Sequence, residues 1–325
     1  MKSQRGAAIL TAMLTVVLVA SLASATLWQQ WRAVEVEAAE RSRMQSAWIL
    51  SGALDWARLI LREDGRKGGA DHLAEPWAVP LEQARLSSFL AADRSDTQAA
   101  DAAQEAFLSG QITDLQSRLN VANLVQGGAI DVDSERAFTR LFEVLDLPET
   151  ELVLLLDKLR LAQGAPAGAA VAAAPLDAPD AASITLWPQT IDQLAWFGLS
   201  ARSIAVLRPF ITILPVRTPV NLNTAAAEVI YACVEGFDLA DAHRLVRERN
   251  AIHLATLSDA SKISGKTSVQ FNAALHSVSS RFFEVRGDLR IDQATVQEVS
   301  VVQRDGLEVK TLSRQRVASS SPTLQ

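Results

Sequence analysis

The feature that most constrains this chain is an uncharged apolar run from Ala7 to Leu27. The run is rich in alanine, leucine and valine, and at about 1.5 Å of rise per residue a helix of this length reaches roughly 30 Å. That length matches the hydrocarbon core of a bilayer. The sequence therefore predicts a single transmembrane helix over residues 7–27, and the rest of the chain has to fold on one side of the membrane.

Charged and aromatic residues on either side of the run predict its orientation. Lys2 and Arg5 precede it, and the next charged residue is Arg32. Positive charge holds a short N-terminus in the cytoplasm, so everything after the run is expected to be exported. Trp28 and Trp31 fall at the far edge, where an indole ring keeps its face apolar and its N–H wet. We interpret both tryptophans as membrane-interface anchors.

A plain secretory signal peptide is the competing interpretation of the N-terminus. The tripeptide Ala23-Ser24-Ala25 is an A-x-A-like cleavage site after an apolar stretch of suitable length. However, no glycine or proline occurs from Ala7 to Ser51, and good helix formers continue to Leu61. Apolar residues in this second half recur at three- and four-residue steps. We therefore predict a continuous helix, one face of which packs on a partner or on its own domain.

Composition limits the classes of protein to which the chain can belong. Its 325 residues, 49% of them hydrophobic, can bury at least one sizeable core. A net charge of -6 argues against a general nucleic-acid binder, because neutralising phosphate needs an excess of lysine and arginine. The single cysteine, Cys233, excludes an internal disulfide and a cysteine zinc cluster. The sequence contains neither an HExxH motif nor a nucleophile elbow, so we predict that the chain is not an enzyme.

Beyond the long helix the periodicity of the sequence changes twice. Charges and glycines between Arg62 and Gly69 are expected to end the helix, and alternation over Gly110–Leu119 predicts a strand. Strand periodicity returns from Phe282, with a hairpin turn at Asp305-Gly306. Between these strands the pattern predicts short paired helices over Phe138–Leu145, Pro148–Leu161, Ile191–Phe197, Ser200–Phe210, Thr224–Val234 and Leu239–Asn250.

These patterns predict an α+β fold: a long N-terminal transmembrane helix packed on a small antiparallel sheet, with a large inserted all-α domain of helix-turn-helix pairs. The expected segments are a leader (1–6), the transmembrane helix (7–27), its exported continuation (28–62), the first part of the sheet domain (63–125), the inserted helical domain (126–280), the C-terminal strands (281–317) and a tail (318–325). Residues 163–182 of the insert are rich in alanine and proline, and we interpret them as a mobile loop.

The segment Arg5-Gly6-Ala7-Ala8-Ile9 is a basic leader that ends in glycine directly before the apolar helix. It resembles the type IV prepilin class, which includes the type II secretion pseudopilins. In that class a membrane-embedded prepilin peptidase cuts after the glycine and methylates the new N-terminus. The resemblance thus implies cleavage between Gly6 and Ala7 and an N-methylated Ala7. Most members carry glutamate at the fifth mature position, which is Thr11 here, and a subunit without that carboxylate is expected to sit at the tip.

Several further stretches, in chain order, resemble the minor pseudopilin K family of type II secretion, also called general secretion pathway protein K. They are Leu54–Arg58, Ile112–Asn120, Leu207–Phe210 with Leu214–Pro215, Thr218–Ala225 and Phe282–Val285. The resemblance implies a pseudopilin fold interrupted by a helical domain, and a complex with minor pseudopilins I and J that caps and initiates the pseudopilus. It also implies the prepilin peptidase and the inner-membrane assembly platform as partners. The chain would be a single-pass inner-membrane protein with a cytoplasmic N-terminus and a periplasmic body.

The chain departs from this family around Leu154–Leu159, where members typically read something like Trp-Ile-Asp-x-Asp ahead of an acidic loop. Family members can bind calcium through such loops, since hard cations want several oxygen ligands. Here Lys158 adds a positive charge, and only Asp157, Asp177 and Asp180 remain nearby. We therefore predict no resident cofactor, with Ca²⁺ at these three aspartates as the alternative that the resemblance implies.

Two other functions stay open: an exported helix-hairpin-helix DNA-binding protein and a type IV pilus minor pilin. The residues from Asn223 to Asp238 resemble a helix-hairpin-helix, but Asp238 replaces the second glycine of its turn. Acids also outnumber bases over residues 218–250, which repels phosphate. We therefore expect no nucleic-acid partner.

Two weaker motifs have structural interpretations. Ala260–Thr267 approaches a Walker A loop, but Ala260 stands where the first glycine is needed, so we interpret the segment as a polar turn before a short helix. The alternating acids of Asp131–Glu135 resemble the start of a calcium loop without its glycine. We predict that they cap the helix that follows.

Overall fold

The computed structural model describes residues 5–85, 106–164, 186–266, 269–291 and 294–318. Its first element, α1 (Arg5–Lys67), is a continuous helix of 63 residues. The absence of glycine and proline between Ala7 and Ser51 permits this length. The apolar run and its polar continuation thus form one rigid element, as predicted.

α1 ends five residues later than the predicted bound at residue 62. The helix continues to Lys67 and ends at Gly68, whose positive φ of 66° suits a residue without a Cβ. Gly65 lies inside the helix for a packing reason, because a Cβ there would lie 2.6 Å from the carbonyl oxygen of Gly306. This glycine permits the close approach of a neighbouring turn and does not break the helix.

Strands of the described chain form one antiparallel sheet against the C-terminal part of α1. Its order is β1 (Leu81–Arg85), β2 (Ala106–Asp114), β9 (Phe282–Ile291), β10 (Ala294–Asp305) and β11 (Glu308–Ala318). β2 and β9 are neighbours, with Ile112 opposite Val285, although the chain between them is long. The chain between these two strands is therefore inserted into the sheet. The hairpin predicted at Asp305-Gly306 is confirmed between β10 and β11.

Apolar residues on one face of α1 close the core of the sheet domain. Leu54 and Leu61 are buried against Trp77, Phe283 and Val302. The Trp77 and Phe283 rings meet edge to face, with 5.2 Å between their centroids. Since each fully buried leucine contributes about 1.5–3 kcal/mol relative to an exposed one, this face is what holds α1 on the sheet.

The inserted domain consists of short helices and two-residue strands. Its elements are β3 (Leu119–Asn120), β4 (Val125–Gln126), β5 (Ala129–Ile130), α2 (Val132–Val144), α3 (Glu149–Gly164), α4 (Ala201–Leu207), β6 (Ile211–Thr212), β7 (Val220–Asn221), α5 (Ala227–Cys233), α6 (Leu239–Ala251), α7 (Leu257–Ser264) and β8 (His276–Ser277). Short 3-10 helices in the described chain cover Pro76–Ala78, Leu115–Ser117, Val121–Leu124 and Ile191–Phe197. The α+β fold predicted from the sequence is confirmed.

The predicted helices of the insert are found within a few residues of their expected bounds. α2 begins at Val132, earlier than predicted, because the Asp131 side chain caps it by accepting the Ser134 N–H at 3.1 Å. The capping role predicted for Asp131 is confirmed. α4 stops at Leu207 because Pro209, two residues later, has no N–H with which to continue the helical hydrogen bonds; Arg208 between them keeps helical geometry. The tract predicted to be a mobile loop, residues 163–182, lies outside the described residues from 165 onward.

Three local expectations are wrong. The strand predicted over Gly110–Leu119 stops at Asp114, whose side chain caps a 3-10 turn. The helix predicted from Thr224 begins only at Ala227, because residues 221–225 form a hydrogen-bonded turn. In the segment that resembles a Walker A loop, α7 precedes the turn at Gly265 and does not follow it.

Candidate functional site

α1 carries all the N-terminal residues that the sequence singles out. Gly6 and Ala7 lie in its first turns, and Thr11 lies on its exposed surface one turn later. The side chains of Trp28 and Trp31 are 60% and 63% exposed. Peptidase cleavage and methylation at Gly6 and Ala7, and interface anchoring by the two tryptophans, stay predictions.

The apolar half of α1 has the properties that a bilayer demands. Among the described residues, one helix is long and apolar enough to cross a membrane, and its apolar window has a mean hydropathy of 2.1. Its hydroxyl groups bond back to the helix: Thr15 Oγ1 donates to the Ala12 carbonyl at 2.8 Å, and Ser21 Oγ donates to the Val17 carbonyl at 2.7 Å. Bonded in this way, a hydroxyl adds little to the cost of entering hydrocarbon.

A second candidate site lies where the insert meets the sheet. Its polar side chains are mostly buried and come from distant parts of the chain, and we call it the domain joint: Asp71, Asp114, Asn221, Thr224, Ser280 and Arg304. Asp71 belongs to the loop after α1, and Asp114 ends β2. Asn221 and Thr224 belong to the insert, Ser280 lies at the end of the insert just before β9, and Arg304 belongs to β10.

Asp114 is the central acceptor of the domain joint. Its Oδ2 accepts from Ser280 Oγ and from Thr224 Oγ1, each at 2.6 Å, and from Asn221 Nδ2 at 3.0 Å. Its Oδ1 accepts the backbone N–H of Gln116 at 2.7 Å. One carboxylate therefore ties the end of β2 to the insert and to the segment that re-enters the sheet.

Arg304 extends the domain joint towards the end of α1. Its guanidinium donates to Asp64 and to Asp71, each at 2.5 Å, and to the carbonyl oxygen of Ser280 at 2.9 Å. The same group lies 5.0 Å from the centroid of the Phe283 ring. A buried cation with this set of partners fixes where α1 ends relative to the sheet.

Burial raises the pKa of three carboxyl groups at or near the domain joint. The pKa of Asp71 is raised to about 6 by burial, against the opposing effect of Arg304. Burial also raises the pKa of Asp114, which its four hydrogen bonds only partly offset. The pKa of Glu75 is raised to about 7, first by burial and further by the nearby Asp64. Burial therefore disfavours the ionised form of each of these three carboxyl groups.

Glu75→Gln is expected to stabilise the chain at neutral pH. Between about pH 4.5 and pH 7 folded Glu75 retains a proton that the unfolded chain has lost, so its contribution to stability falls as pH rises. Glutamine keeps an oxygen for the backbone N–H of His72 and for Trp77 Nε1, which Glu75 accepts at 2.9 and 2.8 Å. Because Glu75 is partly exposed, we expect a gain of only about 1 kcal/mol at pH 7.5.

The measurement is thermal and chemical denaturation of the full chain in detergent at pH 5 and pH 7.5. Glu82→Gln, which removes an exposed carboxylate from β1, controls for the loss of one negative charge. If the difference in free energy of unfolding between Glu75→Gln and the unaltered chain is the same at pH 5 and at pH 7.5, the raised pKa of Glu75 is refuted.

The structure describes one of the three calcium candidates. Asp157 lies exposed on α3, whereas Asp177 and Asp180 lie outside the described residues. Within the described ranges, one group of acids has the spacing of a metal site, with carboxylate oxygens within 4.8 Å of one another: Asp64, Asp71 and Glu75. Arg304 already pairs with the first two of these acids. The calcium alternative at Asp157 stays an untested prediction.

The segment that resembles a helix-hairpin-helix is built for packing. The turn between α5 and α6 holds Gly236 at a φ of 83°, and Asp238 caps α6 in a reciprocal pair with Asp241. Lys266, the lysine of the segment that resembles a Walker A loop, forms an ion pair with Asp241. Arg244 pairs with the same carboxylate. Lys266 and Arg244 thus pair with an acid of the insert itself.

Sequence reasoning missed the domain joint. Asp114 and Asn221 lie inside two stretches that carry the family resemblance, but the pattern of each stretch predicts only local structure. The pairing of residues 107 positions apart depends on how the insert folds back. A signal existed only in the polar residues that interrupt apolar runs at Asp114 and at Asn221-Asn223, since a polar residue in such a run is expected to need a partner.

Two family models match the insert, and both are described as type II secretion system (T2SS), protein K. One covers residues 117–216 and the other residues 220–279. The type II secretion system protein K of Pseudomonas aeruginosa is 26% identical over 329 residues, which cover 96% of this chain and 93% of that protein.

A solved structure has the same fold. A chain of the GspK-GspI-GspJ complex from the type 2 secretion system of enterotoxigenic Escherichia coli superposes with a TM-score of 0.64 at 17% identity, covering 86% of this chain and 99% of that one. The fold of most of this chain thus recurs in a solved protein. Both family models, the Pseudomonas relative and this fold agree with one another: the chain is similar to type II secretion system protein K over almost its whole length.

Proposed function

We propose that the chain is a minor pseudopilin at the tip of the type II secretion pseudopilus. There it helps to initiate and cap assembly with minor pseudopilins I and J, for the export of folded proteins from the periplasm. The observation that carries the proposal is α1, which joins a membrane-length apolar segment to a folded body without a break. Such a helix transmits any displacement of its membrane end directly to the body.

The position of the insert supports a role at the tip. The domain joint binds the insert to Asp71, just after the end of α1, and to Asp114 at the end of β2. The insert therefore lies at the end of the body farthest from the membrane segment. In a filament whose subunits stack along their N-terminal helices, a large domain at that end occupies the place of the next subunit. Thr11, which replaces the usual glutamate, removes the carboxylate that would meet the amine of that subunit.

The proposal includes a processing step and a location. The prepilin peptidase would cut between Gly6 and Ala7, and the inner-membrane assembly platform would then receive the mature helix. The chain would cross the inner membrane once, with its N-terminus in the cytoplasm and its body in the periplasm. The apolar helix and the positive charges of Lys2 and Arg5 support this topology.

The test is co-purification from detergent-solubilised membranes that also contain minor pseudopilins I and J. We expect the full chain to retain both partners at salt concentrations that disrupt exposed ion pairs, because apolar contacts persist at high salt. Retention on a DNA column that is lost with salt would instead favour the helix-hairpin-helix alternative. If the chain instead retained type IV pilus minor pilins and did not bind I or J, it would be a minor pilin of a type IV pilus.

A further inference from the structure

One face of α3 binds the segment of the insert that leads into α4. Glu151, Leu154 and Lys158 follow one another at three- and four-residue steps, so their side chains share a face of the helix. The carboxylate of Glu151 accepts the backbone N–H of Ser200 at 3.1 Å. Leu154 lies so close to Gly198 that a Cβ on this glycine would be 2.9 Å from the Leu154 Cβ. Two of the three side chains thus hold the segment directly, one by a hydrogen bond and one by packing.

Lys158 makes the third contact of this face, and it brings a positive charge. Its Nζ donates to the carbonyl oxygen of Trp196 at 2.9 Å. This carbonyl lies in the last turn of the 3-10 helix Ile191–Phe197, where the carbonyl groups of a helix have no partner within it. The N–H of Leu199, three residues later, bonds instead to the carbonyl oxygen of Leu194 at 3.3 Å. The ammonium therefore meets an oxygen to which a metal ion could otherwise bind.

The described side chains around Lys158 do not fit the calcium ion that the family resemblance implies. Calcium takes about six to eight oxygen ligands, several of them carboxylates. The adjacent carboxylate on α3 is that of Asp157, which is exposed and lies about 100° around the helix from Lys158, away from the Trp196 carbonyl. Leu159, on the other side of Lys158 in the sequence, is fully buried in the core of the insert. A divalent cation at the Trp196 carbonyl would also lie beside the ammonium, which repels it.

We propose that Lys158 takes the place of calcium in this chain. Its ammonium is tethered to α3, binds the oxygen at the end of the 3-10 helix and holds this part of the insert without a metal ion. An ammonium has three donors on a flexible stem and needs no matching set of carboxylates. The inference goes beyond the proposed function, because it concerns the insert alone and does not depend on minor pseudopilins I and J.

Thermal melting of the full chain in detergent tests the role of calcium. A concentration of about 5 mM exceeds the dissociation constants, about 0.1–1 mM, of weak extracellular calcium sites. A site filled at that excess would raise the melting temperature by several degrees. We expect the melting temperatures in calcium chloride and in EDTA to agree within about 1 °C. A larger rise with calcium overturns the inference.

Lys158→Met tests the role of the ammonium. Methionine is about as long as lysine, carries no charge and is a good helix former, so the variant is expected to fold. The N–H groups of Gly198 and Leu199 close the end of the 3-10 helix by bonding back to it. We expect both to exchange with deuterium about fivefold faster in the variant, in calcium chloride and in EDTA alike.

Arg160→Met is the matched control. Arg160 is an exposed residue of the same helix, and it lies about 160° around α3 from Lys158. The control therefore removes the same charge on the other side of α3, and we expect the exchange of the Gly198 and Leu199 N–H groups to change by less than about twofold. Unchanged exchange in Lys158→Met overturns the inference. Equal acceleration in Arg160→Met also overturns it, because the effect would then belong to net charge and not to the contact with Trp196.

Discussion

Asp114→Ala is expected to lower the free energy of unfolding by about 4 kcal/mol, because it leaves several buried donors without an acceptor. The hydroxyls of Ser280 and Thr224, the amide of Asn221 and the backbone N–H of Gln116 all donate to this carboxylate. A loss of this size is a large share of the 5–15 kcal/mol that is typical of a whole domain. Urea denaturation of the full chain in detergent measures it.

Two further variants separate the stability lost with the hydrogen bonds from the stability lost with the side-chain volume. Thr224→Val keeps the shape of the side chain but removes one donor together with its need for an acceptor, so we expect a loss of about 1 kcal/mol. Asp114→Asn is expected to fall between the two, since its amide nitrogen puts a donor where the site needs an acceptor. An Asp114→Ala variant as stable as Thr224→Val would contradict the central role of Asp114.

Hydrogen exchange would show where the damage falls. The Gln116 N–H bonds to Asp114, and the Ser280 N–H bonds to Asp71. Both amides belong to the domain joint, so in Asp114→Ala they should lose protection first. The backbone bonds between β10 and β11 do not depend on Asp114 and should keep their protection. Equal loss in both places would mean that the joint is not a separate cooperative element.

The sequence predicts the architecture well because periodicity and turn chemistry act locally. The apolar run, the alternation after Phe282 and the Asp305-Gly306 turn each specify an element without reference to distant residues. Their order then implies that the helical domain is inserted into the sheet. The main errors, at Gly65 and at Asp114, occur where a distant segment decides the local outcome.

The candidate sites divide in the same way. The anchoring role of Trp28 and Trp31 can be predicted from the sequence, because it depends only on their position along one helix. The role of Gly65 cannot be predicted in this way, because a glycine near the end of a helix can either stop the helix or permit a close contact. At Gly65 a Cβ would lie 2.6 Å from the carbonyl oxygen of Gly306, which is 241 positions away in the chain. Only coordinates distinguish the two cases.

Gly6→Leu is expected to abolish processing of the N-terminus and, with it, assembly into the pseudopilus. The peptidase that the family resemblance implies cuts after a glycine, and a leucine side chain at that position would enter the space next to the cut bond. The unaltered chain should begin at Ala7 with a methylated amine, and the variant should keep all 325 residues. Intact-mass spectrometry of chain purified from membranes distinguishes the two.

Ala25→Leu is the matched control, because it blocks the competing cleavage site at Ala23-Ser24-Ala25 and leaves Gly6 unchanged. α1 runs through these three residues without a break, and a peptidase that cuts extended substrates would first have to unwind it. We therefore expect Ala25→Leu to be processed at Ala7 like the unaltered chain. A mature chain that begins at Thr26, and that Ala25→Leu prevents, would mean that the apolar helix is removed.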